Sequence, residues 1–158
     1  MKLPSMKIEV SVPDQKLRLL DDDGELLQEY PCSTSRFGYG CVPESYHTPL
    51  GLFRIAQKIG HGAEAGTIFK SREAVGLWDG GPADEDYVLT RILWLDGCED
   101  HNANTRDRYI YIHGTNQEHL IGSEASHGCV RLSNADVIDL FERVEEGVTV
   151  EIRRPDSQ

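Results

Sequence analysis

The chain has 158 residues, enough for one ordinary domain that buries roughly two-thirds of its unfolded surface without disulfide or metal staples. Sixteen Lys and Arg against 27 Asp and Glu leave a net charge of −11, which repels phosphate backbones and argues against nucleic-acid binding. The composition, 39% apolar and 27% charged, is that of a soluble globular protein, and no apolar run approaches the ~18 residues of a membrane-spanning helix. In chain order, Lys7 to Val12 alternates polar and apolar residues, the period of a half-buried strand. Lys16 to Leu20 and Glu25 to Tyr30 flank Asp21-Asp22-Asp23-Gly24, a hairpin signal. Residues 31–51, rich in Ser, Thr, Gly and Pro, read as a loop. Leu52 to Ile59 resumes a strand. Residues 60–86 show no sustained period and read as loop with one short element near Ile68, a stretch that could act as a lid with Tyr87 or Arg91 facing substrate. Tyr87 to Leu95 is the most apolar run and is expected as a central strand. Residues 96–107 are turn-like, and Tyr109 to Ile112 is a buried strand. Ser133 is a helix N-cap, followed by Val137, Leu140, Phe141 and Val144 on one apolar face, with Gly147 as the stop of a helix over 134–146. Residues 148–152 close as a strand. The expected fold is mostly β with one C-terminal α-helix, as a single domain over 7–153 with tails at 1–6 and 154–158.

The chemistry concentrates between Tyr109 and Leu132. His113 ends a strand, and sixteen residues later Cys129 sits in the turn Ser126-His127-Gly128-Cys129. A thiol that attacks a carbonyl must give up its proton, and a nearby imidazole takes it, aided by inward-pointing backbone amides that also lower the thiol pKa. Gly128 leaves room for a carbonyl to approach the sulfur and for amides to form an oxyanion hole. In an extended segment Arg131 shares the face of Cys129, where a guanidinium would grip a substrate carboxylate bidentately. The bland alternative is a buried structural Cys beside a satisfied polar His.

His113-Gly114-Thr115 followed by Ser126-His127-Gly128-Cys129-Val130-Arg131-Leu132 resembles the signature of the L,D-transpeptidase catalytic domain, also called the YkuD domain. Thr48-Pro49-Leu50-Gly51-Leu52-Phe53 resembles a second family segment, more structural than chemical, and the resemblance spans roughly residues 7–153. It implies a β-sandwich or irregular barrel with the helix at its side. It implies Cys129 as nucleophile, His113 as base and the Gly114 carbonyl as orienter of the imidazole. Arg131, His127, Ser126, Gly128 and Thr115 would shape the substrate pocket. The implied substrate is a peptidoglycan tetrapeptide or muropeptide, cleaved between meso-diaminopimelate and D-Ala through a Cys129 thioester, with carbapenem β-lactams as covalent inhibitors. No cofactor, metal, nucleic acid or membrane partner is implied.

The opening MKLPSMKIEV lacks the apolar core of a secretory signal, so a cytoplasmic protein is expected, or a periplasmic one if the start is trimmed. That expectation favours water as acceptor, an L,D-carboxypeptidase in muropeptide recycling, over 3-3 cross-linking or D-amino-acid exchange. Two other classes compete. A zinc site could draw on Cys98 and His101 with His119 and Cys129, although a structural site normally needs a second pair. A fragment-binding domain without catalysis would keep the fold alone. Cys32 and Cys41 could pair in the 31–51 loop, but a reducing compartment opposes it, and Cys98 could protect Cys129 by a reversible disulfide. Trp78 and Trp94 read as core or cleft wall.

Overall fold

The computed structural model describes residues 6–35, 48–83, 85–126 and 128–153. Among these residues ten strands form one continuous hydrogen-bonded network with a single α-helix, α1 (Asn134–Arg143). β1 (Lys7–Ser11), β2 (Lys16–Leu20) and β3 (Leu26–Pro31) form an antiparallel meander at one end. β2 and β3 meet through the Asp21–Gly24 turn, where the Asp21 carboxylate accepts the amides of Asp23 and Glu25 at 2.9 Å each. The last strand, β10 (Thr149–Arg153), returns to pair in parallel with β1 and antiparallel with β4 (Gly51–Ile59), so the two chain ends lie side by side in the sheet.

β7 (Val88–Gly97) is the hub. One of its edges carries β4 and then β5 (Thr67–Lys70); the other carries β8 (Tyr111–Gly114). β9 (Val130–Leu132) adds in parallel to β8. Every second residue of these strands enters one large core, from Ile8, Leu17 and Phe53 to Leu93, Ile112, Val130 and Ile152, and Val137, Leu140 and Phe141 of α1 cover it. Each such side chain contributes about 1.5–3 kcal/mol by leaving water.

Two expectations are corrected. Residues 60–86 contain a hairpin, β5 with β6 (Glu73–Leu77), which periodicity could not reveal because every residue of β6 is exposed. The helix begins as expected, with the Ser133 hydroxyl accepting the Asp136 amide at 3.1 Å, but it ends at Arg143 rather than at Gly147. Lys58 accounts for the early stop. Its ammonium donates to the carbonyls of Phe141 and Val144 at 2.7 Å each and lies 4.2 Å from the Phe141 ring centre, capping the last turn. Cys41 and most of the 31–51 loop lie outside the described residues. Cys32 is a buried free thiol.

Candidate active site

β8 and β9 run parallel with Ile112 opposite Val130 and His113 opposite Arg131. Registered neighbours point to the same face and successive residues to opposite faces. Ile112 and Val130 therefore fill the large core, while Tyr111, His113, Cys129 and Arg131 gather on the other face, where Cys129 packs against a small cluster of Phe69, Ile92 and Tyr111.

The Cys129 sulfur touches the backbone at both ends of a short segment. It accepts the Tyr111 amide at 3.3 Å and donates to the Tyr109 carbonyl at 3.5 Å. His113 is buried, and its Nδ1 lies 2.5 Å from the Gly114 carbonyl oxygen. A carbonyl can only accept, so the neutral ring carries its proton on Nδ1 and keeps the Nε2 lone pair as a base. The Tyr111 ring stands edge-on to His113 with 6.5 Å between centres, and the Tyr111 amide holds the sulfur, so one residue links nucleophile and base.

Burial pushes the Cys129 thiol up to about 12; the Tyr111 amide, Arg131 and Arg108 oppose that rise and Asp86 adds to it. Burial also lowers the His113 pKa, against the pull of Asp86 and of the Gly114 carbonyl. The resting pair is consequently a neutral thiol and a neutral imidazole. The proton therefore leaves during attack, with His113 as general base.

The pocket residues expected from the signature lie underneath the site. Arg131 is fully buried; its Nη1 is 2.9 Å from Asp86 and 2.6 Å from Gln117, and its Nη2 is 3.2 Å from Ser33. The carboxylate that it grips is thus one of the protein's own. Thr115, also fully buried, donates to the other Asp86 oxygen at 2.9 Å. The Ser126 hydroxyl donates to the Cys129 carbonyl at 2.7 Å and accepts the Gly128 amide at 3.3 Å, tying the turn that carries the nucleophile. Gly128 has φ +123°, a conformation open to glycine. His127 lies outside the described residues. Thr48 is buried and accepts the Ser35 amide at 2.8 Å, a structural bond. Arg91 points away: its guanidinium donates to the Ala63 and Thr90 carbonyls and stacks 5.3 Å from Phe141. Cys98 is exposed and His101 bonds the Leu50 carbonyl at 3.1 Å; among the described residues no three His, Cys, Asp or Glu converge as a metal cage.

Asp86 is the residue that sequence reasoning missed. It sits among acidic neighbours with no spacing to either motif, and only the fold brings it to Thr115 and Arg131. A second brace was equally hidden. Thr90 has φ +79° in a bulge of β7, rare for a β-branched residue, and its hydroxyl donates to Asn134 at 2.6 Å. Asn134 in turn donates to the Thr115 carbonyl at 2.9 Å. A Cβ on Gly114 would overlap the Asn134 side-chain oxygen and the Leu89 carbonyl, so the turn after His113 requires glycine for close approach.

The L,D-transpeptidase catalytic domain family, YkuD, matches residues 5–152. The chain belongs to this family. It is an enzyme domain of the cysteine-dependent type on which the geometry above converges. A putative L,D-transpeptidase YkuD of Bacillus licheniformis is 46% identical over 146 residues, covering 92% of this chain and 64% of that protein. Its Bacillus subtilis counterpart is 34% identical over 82 residues, covering 46% of this chain and 45% of that protein. An L,D-transpeptidase structure from Mycobacterium smegmatis superposes with a TM-score of 0.64 at 17% identity, over 95% of this chain and 59% of that one. L,D-transpeptidase 3 from Mycobacterium tuberculosis, solved with a faropenem-derived adduct, gives 0.61 at 19% identity, over 95% of this chain and 60% of that one. These structures share the mostly β fold. The chain thus spans less than two-thirds of the length of each of these relatives. Among the described residues no helix is long and apolar enough to cross a membrane.

Proposed function

We propose that this domain cleaves the bond between meso-diaminopimelate and D-Ala in peptidoglycan tetrapeptides, as an L,D-carboxypeptidase. Cys129 attacks the carbonyl carbon while His113 Nε2 takes the thiol proton. The carbon–nitrogen bond breaks as that proton passes to the departing D-Ala amine, leaving a thioester. The Cys129 backbone amide holds the oxyanion, a donor of a kind that contributes about 10²–10³ in rate, while the Gly128 amide is kept by the Ser126 hydroxyl. Water then adds, gives a proton to His113, and the proton returns to the sulfur as the tripeptide leaves. One observation carries this chemistry: the sulfur held between the Tyr109 carbonyl and the Tyr111 amide, on the same sheet face as an imidazole whose Nδ1 proton the Gly114 carbonyl fixes.

Cys32, Cys98 and Cys129 are free thiols, which supports a reducing compartment and a cytoplasmic role on recycled muropeptides. Incubation with a defined tetrapeptide should give tripeptide and D-Ala, and Cys129→Ala should give neither. Dimers or exchanged D-amino acids without tripeptide would establish the second reading, transpeptidation, which the names of the relatives favour. A covalent mass adduct with a carbapenem on wild type, absent from Cys129→Ala, tests the shared acyl-enzyme step, and its failure would favour a fragment-binding domain.

A further inference from the structure

Beside Cys129 lies a cluster that the mechanism does not use. The Arg72 guanidinium stacks 4.8 Å from the Trp94 ring centre and 5.0 Å from that of Tyr109, and donates to the Tyr111 hydroxyl. Arg106 stacks on the same indole at 4.7 Å. Trp94 also packs against both tyrosines, 6.0 Å from Tyr109 and 5.9 Å from Tyr111. Two like charges on one ring repel, and the usual relief is a carboxylate. This chain has 27 acidic residues; Arg54, Arg131, Arg143 and Arg153 each hold one, and Arg18 holds two, Asp14 and Glu29. Among the described residues no carboxylate lies within 4.0 Å of Arg72 or Arg106; Glu73, next in the chain, acts on Arg72 only at longer range. Arg72 sits in the two-residue turn between β5 and β6, where Ser71 and Arg72 take φ +49° and +65°, the positive-φ pair of a type I′ hairpin turn.

The ledge is also placed for a substrate already bound at the sulfur. Cys129 Sγ touches the backbone of Tyr109 and Tyr111, and the side chains of those two residues are the ones that meet Arg72. Arg72 therefore meets the side chains of the two residues whose backbone holds the reacting sulfur. Planar guanidiniums preset on aromatic faces lose little freedom on gripping a carboxylate, and they stay charged at any working pH.

We infer that Arg72, stacked on Trp94 and Tyr109, with Arg106 stacked on the same indole, forms a subsite for a carboxylate of the peptide substrate. The inference rests on the tetrapeptide reading above. Such a peptide carries three carboxylates within a residue of the scissile bond: those of D-Glu, of the distal centre of diaminopimelate, and of the terminal D-Ala.

The test measures equilibrium binding to Cys129→Ala protein by calorimetry, with the acidic tetrapeptide and with three versions that each carry one carboxamide. Arg72→Gln should weaken the acidic peptide about tenfold, the scale of one charge-assisted bidentate contact, and Arg106→Gln by less. One of the three amidated peptides should bind the Cys129→Ala background about tenfold more weakly and be insensitive to Arg72→Gln, which names the carboxylate. Arg18→Gln, far away on β2, should change nothing, and melting curves report folding. If Arg72→Gln weakens the acidic and all amidated peptides equally, or none of them, the subsite is overturned, while tripeptide release by the wild type would leave the hydrolase reading standing. Conversely, Arg72-dependent binding without any turnover would sink the hydrolase and keep the subsite.

Discussion

Cys129 and His113 illustrate how burial sets the working state of a pair. Both are neutral at rest because desolvation disfavours either charge, so activity requires only that His113 be unprotonated. The acid limb of kcat/KM should therefore lie below 6.5, the ordinary value for His, and no thiol limb should appear in the neutral range; a limb near 8.5 in the pH profile would show that the thiol is not held up by burial. Asp86 raises the His113 pKa, so Asp86→Asn should shift the acid limb further down. The same change removes the carboxylate that pairs with fully buried Arg131. Breaking such a pair typically costs about 3–5 kcal/mol, and urea unfolding should show a loss on that scale. The nucleophile and base were legible in the sequence because His-Gly-Thr and Ser-His-Gly-Cys are local strings. Asp86 was not, since its partners are 29 and 45 residues away and no periodicity marks a residue that meets them through a loop. Arg131 was read on the right face, but its true partner depends on that same unread loop.

Strands explain why local strings suffice to find the site and fail to describe its support. Alternation identified β1, the Asp-Gly turn marked β2 and β3, and sheer apolarity identified β7, because these strands bury one face or both. β6 is wholly exposed and β9 is three residues long, so neither carries a readable period. Yet β9 fixes Cys129 beside Tyr111, and the β5–β6 turn delivers Arg72. The bulge at Thr90 and the close packing at Gly114 are also products of strand pairing rather than of composition. Gly114→Ala would push a methyl group into Asn134 and Leu89 and displace the carbonyl that orients His113. Misplacement of a catalytic group by about 1 Å can cost ~10²-fold, so kcat/KM should fall about a hundredfold. Removal of the Ser133 cap by Ser133→Ala should lower stability by only about 1 kcal/mol with kcat unchanged, which separates loss of site geometry from loss of helix. Equal effects of the two substitutions on kcat/KM would contradict the bracing role of Gly114.

For the molecule as a whole, the buried neutral groups define a pH window of stability. His113 has a folded pKa below its ordinary 6.5, so below that pH the unfolded chain binds a proton that the folded one refuses, and stability falls as pH drops through that range. Cys32 and Cys129 are displaced the other way, each to about 12 from an ordinary 9.0. Between those values the unfolded chain releases protons that the folded chain keeps, and stability falls as pH rises, at most by about 1.4 kcal/mol per pH unit for each thiol. Tyr30, raised by burial and by the neighbouring Asp139, adds to that alkaline slope above its ordinary 10.0. Between about 6.5 and 9 these four groups leave stability flat, so denaturant midpoints should form a plateau there with a decline on each side. Cys32→Ala is the decisive comparison, because Cys32 is fully buried and far in character from the catalytic pair. Its unfolding free energy should start lower at neutral pH, where a core side chain has been cut back, and should then decline less steeply than wild type from pH 9 to 11. A variant curve parallel to wild type across that range would show that the buried thiol does not couple folding to alkaline pH.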